Sequence, residues 1–579
     1  MRVGRKWVLS GMAVLLAPCA LAAGVISWPV DPKRVAFAMN SEIAPLGGSH
    51  WGRPGRASVT LLPWPMLRIV DAELLDSDGR SVLSAPLAEI GLTPIGLLRG
   101  EFAPVSAKLL NPTALIDLDA ARENAEQIVA TSARRLTRLE FAGGVANIVS
   151  AKLGLDTLIE NVDGWLQWKK AAGPLRFSLA GQWRGEPVAL EGSLAAPARL
   201  REGSPSGAIL KITARPAELA FAGTWTPGGA FAGDLTTQIH SLPAVERWLG
   251  LASSPPIAAR EIGLQGNVAG NFETVALSEA RLDVEGQTFD GSLDFSRREG
   301  KTSVSGTLAS DSLDLSALFD PPGPFLDSQG QWSHQPLLTA PSATLDLDLR
   351  VSATRASWRG HEFQAVAASV LQRDRVLTVR LLDATACQGQ LSGEFSVQDA
   401  PDGLRTRVSA SFPDGDIGGV LAEWGVTEYS GRGAYEATLH AVGASPAELA
   451  ASLSGSATLE LQGGTLDGVN FEQALRRSLR RPVDFARDMA TGQTHFSSAR
   501  AHLEIADGVA RIVEARLDGP GATVQVQGAI DIAAREWRAR IEAVQSSAEG
   551  SPSVDAARLT IGLLGPWTAP TIAALANTD

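Results

Sequence analysis

The sequence contains few of the side chains from which metal centres and disulfide frameworks are built. Its 579 residues include two cysteines and seven histidines. Cys19 lies inside an apolar N-terminal segment, so it does not form a disulfide framework with Cys387. The histidines have no pair at positions i and i+4 and no cysteine nearby, which excludes the ligand spacing of a zinc site. We therefore expect no metal and no cofactor.

Arrangements typical of catalysis are missing as well. Gly300-Lys301-Thr302 resembles the end of a phosphate-binding loop, but Phe295 occupies the position of the required first glycine. Asp346 and Asp348 share one face of a predicted strand without a neighbouring base, which favours a solvated face over a pair of catalytic carboxylates. The sequence has no nucleophile elbow. We expect no catalytic residues, and thus a protein that is not an enzyme.

A basic stripe and an abundance of tyrosine are also absent. The formal net charge is −12, and the acidic residues are spread along the chain, which excludes the electrostatic footprint of a nucleic-acid-binding protein. Two tyrosines accompany 58 glycines and 33 prolines, a composition that favours many short strands joined by tight turns. A chain of 579 residues indicates several domains or one repeated architecture.

The N-terminus carries an apolar run that begins after Arg2, Arg5 and Lys6. Residues 7–30 contain no charge over 24 positions, enough for a helix to cross a hydrocarbon layer of about 30 Å. Basic residues before the run place the N-terminus in the cytoplasm and the rest of the chain beyond the membrane. The predicted anchor residues are Trp7, Val8, Leu9, Val14, Leu15, Leu16, Leu21, Val25, Ile26 and Trp28. A cleaved signal peptide is the alternative, since Ala20-Leu21-Ala22 fits a cleavage site; the apolar length favours the anchor.

Strand patterns dominate the remainder, beginning at Leu62-Pro63-Trp64-Pro65. The two prolines cannot donate to a sheet ladder, so this stretch predicts a kinked entry into a sheet, whereas residues 31–58 are interpreted as an irregular linker. The large apolar residues of this entry include Trp64, Leu67, Ile69 and Leu74. The clearest alternation in the chain sets apolar residues against Asp346, Asp348 and Arg350 and predicts a strand with one apolar face. The apolar residues of this face are Leu345, Leu347, Leu349 and Val351.

Short helices interrupt the strands. Helical patterns occur near 119–135 and 241–250, and the second has Ser241 as N-cap and Gly250 as C-cap. A further helix has Phe471, Leu475 and Leu479 on one face and a basic opposite face. The basic residues are Arg476, Arg477, Arg480 and Arg481, which either contact lipid head groups or form a solvated face, and charge alone favours the solvated face.

The order of the motifs resembles that of the AsmA family of envelope proteins. The motifs are Leu62-Pro63-Trp64-Pro65, Leu110-Asn111-Pro112, Leu242-Pro243-Ala244-Val245-Glu246-Arg247-Trp248-Leu249-Gly250, Gly492-Gln493-Thr494-His495-Phe496 and Leu563-Leu564-Gly565-Pro566-Trp567. The resemblance covers nearly the whole chain and implies a bridge-like lipid-transfer protein. Its expected fold is mainly β: a long curved antiparallel sheet forming an open apolar groove, with a few short helices and one N-terminal transmembrane helix. In that fold, the expected groove mouth is formed by Trp64, Leu67, Ile69 and Leu74, and the expected groove lining by Leu345, Leu347, Leu349 and Val351.

The resemblance also implies a domain order and a role. The expected domains are a signal anchor at 1–30, an N-terminal AsmA-like region at the membrane at 31–118, a central repetitive β region at 119–448 and a C-terminal AsmA-like domain at 449–579. The expected function is carriage of phospholipids between the inner and outer membranes, with one span in the inner membrane and the bulk of the chain in the periplasm. The alternative is an assembly factor that contacts outer-membrane or periplasmic proteins through sheet edges.

Overall fold

The structure is a computed structural model in which two compact units can be distinguished. It describes residues 25–43, 50–52, 55–76, 79–99, 103–117, 136–150, 155–168, 173–201, 203–250, 261–271, 273–298, 301–318, 325–358, 360–419, 429–478, 492–546, 557–567 and 570–574. Unit 1 comprises 1–251, 260–283 and 292–302, and unit 2 comprises 252–259, 284–291 and 303–579. The domain boundaries expected from the sequence stay predictions.

Strands make up most of the described residues. In chain order they are β1 (Trp28–Val30), β2 (His50–Trp51), β3 (Arg56–Thr60), β4 (Met66–Leu75), β5 (Ser81–Leu92), β6 (Pro104–Leu110), β7 (Thr113–Asp117), β8 (Arg138–Ser150), β9 (Leu155–Trp168), β10 (Leu175–Trp183), β11 (Glu186–Leu194), β12 (Ser206–Ala214), β13 (Ala217–Trp225), β14 (Phe231–Ile239), β15 (Ile262–Gly270) and β16 (Thr274–Val284). They continue as β17 (Gln287–Arg298), β18 (Lys301–Asp314), β19 (Leu345–Trp358), β20 (His361–Arg373), β21 (Val376–Ala386), β22 (Gly389–Ala400), β23 (Gly403–Asp416), β24 (Tyr429–Val442), β25 (Ser454–Asp467), β26 (Gln493–Ala506), β27 (Val509–Asp518), β28 (Ala522–Asp531), β29 (Glu536–Gln545), β30 (Arg558–Pro566) and β31 (Thr571–Ala574).

The helices of the described residues are short. They are α1 (Pro32–Ile43), α2 (Pro94–Leu98), α3 (Pro197–Arg201), α4 (Leu242–Leu249), α5 (Leu315–Leu318), α6 (Pro446–Ser452) and α7 (Phe471–Ser478), with one 3₁₀ turn at Pro227–Gly229. Within the described ranges, none of the helices is both long enough and apolar enough to span a bilayer. The helix predicted near 119–135 lies outside the described residues.

The sheet of unit 1 is mixed. β3, β4 and β5 pair antiparallel in sequence order, and β1 pairs with the free side of β3. β6 and β7 both pair with β5, and both then run parallel to β8. From β8 to β15 each strand pairs antiparallel with the next. The prediction of a mainly β fold with few helices is confirmed, but the sheet is not wholly antiparallel, because the connection before β8 returns the chain to the starting end of β6.

In unit 2, thirteen consecutive strands from β19 to β31 form one antiparallel meander. Tight turns make this possible. Cys387 and Gln388 connect β21 to β22 with φ angles of 45° and 57°. This is the left-handed pair that a two-residue hairpin turn requires, here without the glycine that usually supplies it.

Capping residues decide where two of the helices begin and end. Ser241 accepts a hydrogen bond from the Ala244 amide at 3.4 Å, and Gly250 ends α4 with a φ of 68°, as predicted. α6, which sequence analysis missed, begins with a capping box in which Ser445 and Glu448 accept from each other's backbone amides at 3.3 and 3.2 Å. The Ser-Pro-x-Glu pattern at 445–448 was the available signal.

The N-terminal core corrects the interpretation of residues 31–58. This segment is not an irregular linker, because it contributes α1, β2 and β3. Val35 of α1 is buried with Leu67, Ile69 and Ile90 on one face of β3 to β5. An apolar side chain of α1 thus covers an apolar sheet face, a tertiary contact that local sequence does not reveal.

An irregular segment of unit 2, residues 325–343, is held to the β28–β29 turn by an arginine between two tryptophans. The Arg535 guanidinium lies 5.7 Å from the ring centre of Trp332 and 5.4 Å from that of Trp567. The Trp332 indole donates to the Ile532 carbonyl at 2.8 Å, and Arg535 donates to the Gly330 carbonyl. These cation–π contacts and hydrogen bonds attach the segment to the sheet.

Leu475→Ala should destabilise the C-terminal part of unit 2 by roughly 2–5 kcal/mol, because Leu475 is fully buried between α7 and the sheet and its truncation leaves a cavity. Hydrogen exchange of the β28, β29 and β30 amides would measure the loss of protection. Arg476→Ala is the matched control, since its exposed ion pair with Glu472 is worth only about 0.5 kcal/mol. Equal effects of the two substitutions would contradict this packing.

Candidate functional site

The sheet of unit 2 carries a continuous apolar face. Residues directly opposite each other on antiparallel strands point to the same side of the sheet. Starting from Leu349, the paired residues across β19 to β24 are Leu349, Val370, Val379, Phe395, Val408 and Leu439. All six are partly exposed or exposed, so no described segment of the chain buries this row.

A second apolar row runs beside the first and reaches further. Its members are Val351, Ala368, Leu381, Gly393, Ala410, Ala437, Ala457, Leu503 and Ile512. Four consecutive members of this row, from Gly393 to Ala457, are glycine or alanine, so side chains do not fill the space above them. The sequence-predicted groove residues Leu345, Leu347, Leu349 and Val351 all lie on β19, and all are partly exposed. Their role in lining a lipid groove stays a prediction.

The opposite face of the same strands is polar. The row next to Leu349 contains Arg350, Ser369, Arg380, Glu394, Ser409 and Thr438. Arg380 and Glu394 form a cross-strand ion pair at 2.6 Å. Water solvates this face, whereas the apolar face requires a partner that is not water.

Unit 1 repeats the same amphipathic arrangement across β8 to β13. One row of paired residues is Leu139, Leu166, Phe177, Gly192, Leu210 and Phe221, and the adjacent row is Leu179, Leu190, Ile212 and Leu219. Glu191 follows Leu190 and Lys211 precedes Ile212, so both point to the other, polar face, where they lie opposite each other. Each unit thus carries its own apolar face.

An apolar cavity of about 410 Å³ lies at the C-terminal end of the unit 2 meander, a size within the range of small-molecule sites. Its apolar lining includes Leu466, Val469, Phe471, Ala499, Ala515, Leu517, Val524, Val526, Ile541, Ile561, Leu563 and Ile572. Arg500 and Arg516 also border it, and each pairs with an acid, Glu460 at 3.9 Å and Asp518 at 2.8 Å. The Arg516 guanidinium lowers the pKa of Asp518, which keeps that carboxylate ionised.

Helix α7 covers the sheet beside this cavity. Phe471, Ala474 and Leu475 are buried against the apolar face of β28 to β30, as the sequence pattern of the helix indicated. The Phe471 amide donates to the buried Thr494 hydroxyl at 3.1 Å, and the Gln473 amide donates to the Asn470 side chain at 2.8 Å. The first turn of α7 is therefore fixed, and with it one wall of the cavity.

An aromatic cluster closes the apolar face at one end of β22 to β26. Tyr429 stacks on Phe496 with ring centres 5.9 Å apart, and Phe412 lies 5.9 Å from Tyr435. Burial, with the nearby charge of Asp416, raises the pKa of Tyr429 to about 12, and burial raises the pKa of Tyr435. Both hydroxyls stay neutral at physiological pH, so the cluster supplies packing and no ionised base or nucleophile.

The predicted groove mouth divides into exposed and buried residues. Trp64 is 70% exposed, whereas Leu67 and Ile69 are only 2% and 1% exposed in the N-terminal core. Leu74 is partly exposed on the same strand. The structure therefore does not bring these four residues together on one open surface, because β4 turns Leu67 and Ile69 toward α1.

The predicted anchor and head-group residues are described only in part. Val25, Ile26 and Trp28 are exposed, and the other anchor residues lie outside the described residues. Arg476 forms an ion pair with Glu472 on the exposed side of α7. The side chain of Arg477 and all of Arg480 and Arg481 lie outside the described part. No group of histidine, cysteine, aspartate or glutamate in the described residues could hold a metal ion.

Sequence analysis missed the cavity, although strands in this region were predicted. The lining residues Val524 and Val526 lie on β28, and Ile541 lies on β29. Their convergence with Ile561 and Ile572 depends on the pairing of β29 with β30 and of β30 with β31. Register between strands decides that convergence, and no local pattern encodes it.

Ala515→Phe should fill the cavity. The dissociation constant of the highest-affinity site for an apolar phenylnaphthylamine dye should then rise about tenfold, equivalent to roughly 1.4 kcal/mol. Fluorescence titration would measure the dissociation constant. Gln525→Phe is the matched control, since Gln525 is exposed on the other face between the cavity residues Val524 and Val526. Unchanged dye affinity in Ala515→Phe would exclude the cavity as the dye site.

The comparison with known families agrees with this architecture. Residues 327–514 match the model of the AsmA family. No curated protein and no solved structure matches the chain. The matched segment includes β19 to β26, the strands that carry most of the apolar face of unit 2. The resemblance to the AsmA family inferred from the sequence is confirmed over residues 327–514, the part of the chain that matches the family model.

Proposed function

We propose that this protein is a non-enzymatic envelope protein that carries phospholipids between the inner and outer membranes and so supports outer-membrane integrity. The observation that carries the proposal is the apolar row of unit 2 from Leu349 to Leu439, which no described segment covers and which has a polar face behind it. An extended apolar surface in water needs an apolar partner, and the match of residues 327–514 to the AsmA family favours a lipid for that role.

The driving force would be burial of acyl chains. Each methylene transferred from water to the apolar face contributes about 0.8 kcal/mol, so a phospholipid can be held without any covalent step. Side chains on neighbouring strands differ little in polarity along the row, so an acyl chain can move from strand to strand without a large barrier. The phospholipid head group would stay in water at the open side of the face.

The proposed location is the inner membrane, with a single N-terminal span and the bulk of the chain in the periplasm. The apolar run at residues 7–30 and the basic residues before it support this location. Because the phospholipid partner is membrane-derived, a carrier anchored in one membrane would meet its cargo without a soluble intermediate.

A photo-reactive benzoylphenylalanine at position 439 should form phospholipid adducts in cells, because Leu439 lies on the apolar face directly opposite Val408. Val408→Asp should reduce these adducts about tenfold, since a carboxylate next to an acyl chain costs more than 1.4 kcal/mol. Ser409→Asp is the matched control, because it places the same charge on the polar face of the same strand. Mass spectrometry of the adducts is the measurement.

The same experiment separates the two candidate functions. Adducts that consist of outer-membrane or periplasmic proteins would favour an assembly factor. Equal loss of phospholipid adducts in Val408→Asp and Ser409→Asp would show that the apolar face is not the lipid path. Hydrogen exchange of β22 to β24 in both variants would establish that the sheet has kept its pairing.

A further inference from the structure

Unit 1 exposes large apolar side chains at one end of its first strands. Trp64 is 70% exposed in the loop between β3 and β4, and Ile95 and Leu98 of α2 are 64% and 88% exposed. Leu61, at the end of β3, is 43% exposed. Such side chains are costly in water when they are grouped, so their arrangement indicates a binding surface.

Strand register places the two segments at the same end of the sheet. Thr60 pairs with Met66 across β3 and β4, and Met66 pairs with Gly91 across β4 and β5. The Leu92 amide donates to the Pro65 carbonyl at 2.9 Å, which joins the Trp64 loop to the residues that lead into α2. Residues 61–65 and 92–98 therefore project from one sheet end, and we call them the seating surface.

The seating surface is attached to the N-terminal core and is free of charge. Thr93 caps α2 by accepting from the Gly96 amide at 3.2 Å, and Leu97 packs against the N-terminal core. Because Leu97 contacts the N-terminal core, Ile95 and Leu98 point away from that core and are exposed. Residues 61–65 and 92–98 contain no charged side chain, and the exposed Arg99 follows immediately. Apolar tips with a tryptophan and a flanking arginine have the composition of protein segments that lie in a membrane interface.

The chain enters unit 1 from this same end. Trp28 pairs with Val59 and Val30 pairs with Ala57, so residues before Trp28 extend past the end of β3 that carries Leu61. Val25 and Ile26 are 63% and 55% exposed there. They belong to the uncharged run at residues 7–30, whose apolar length predicts a membrane span. A span leading into this end would hold the seating surface beside the bilayer.

We propose that residues 61–65 and 92–98 rest in the interfacial layer of the bilayer, with Trp64 at head-group depth and Ile95 and Leu98 in the outer acyl region. The occupant of this surface is a lipid bilayer, not a protein. This inference uses the proposed membrane span but does not depend on phospholipid carriage. It assigns a second membrane contact that orients unit 1, in addition to the span itself.

The test uses the full chain with Cys19→Ala and Cys387→Asn, reconstituted in vesicles of phosphatidylcholine and phosphatidylglycerol. One variant carries a nitrobenzoxadiazole label at Leu98→Cys and another carries it at Ile209→Cys. Lipids with a nitroxide on the acyl chain should quench the fluorescence of the label at position 98 several-fold more than that of the label at position 209. Ile209 is the matched control, since it is 59% exposed on β12 of the same unit. Trp64→Ser combined with Ile95→Ser should reduce the quenching at position 98 several-fold, whereas Ile209→Ser should not.

The outcomes separate this inference from the others. A chain that floats with the vesicles but shows no more lipid quenching at 98 than at 209 overturns the seating surface and leaves phospholipid carriage standing. The label at position 98 could also be protected from quenching by iodide in water and still not be quenched by nitroxide lipid. That result overturns the seating surface too, because a protein would then cover it. A chain that does not float overturns both the span and the seating surface. Loss of phospholipid adducts at position 439 affects only the proposed carriage.

Discussion

Cross-strand register is the constraint on which the rest of this structure depends. Side chains alternate between the two faces of every strand, so a slip of one residue between two strands would move an entire apolar row to the solvated side. The row from Leu349 to Leu439 stays apolar across six strands only because each pair preserves this alternation. Bulges, such as the one between Leu381 and Ala384, shift register without mixing the apolar and polar rows.

Within the described residues, each unit covers part of its apolar face with a helix, and the rest stays partly exposed. In unit 1, α1 buries the face of β3 to β5 through Val35. In unit 2, α7 buries the face of β28 to β30 through Leu475. Where a helix supplies the partner, the strands form an ordinary core. Where it does not, the face stays partly exposed over many strands, and the proposed acyl chains would complete it.

This division also sorts the ionisable side chains of the described strands. Its ionisable residues lie mainly on the polar face, paired with one another at the surface, as Arg380 is with Glu394 and Arg516 with Asp518. Isolated surface pairs of this kind contribute little to stability, but they keep the polar face solvated and thereby define which face is apolar. The described sheet thus has one apolar face and one face of paired charges.

The sequence by itself determined the element types and the amphipathic character of the strands. The alternation at Leu345 to Val351, the caps at Ser241 and Gly250 and the buried face of α7 could all be predicted, because each depends on neighbours within a few residues. Tertiary structure alone decided that Leu67 and Ile69 are core residues, that residues 31–58 form part of that core, and that Ile541, Ile561 and Ile572 surround a cavity. Those outcomes depend on which strands pair and which helix covers them, and contacts between distant residues leave no periodic trace in the local sequence.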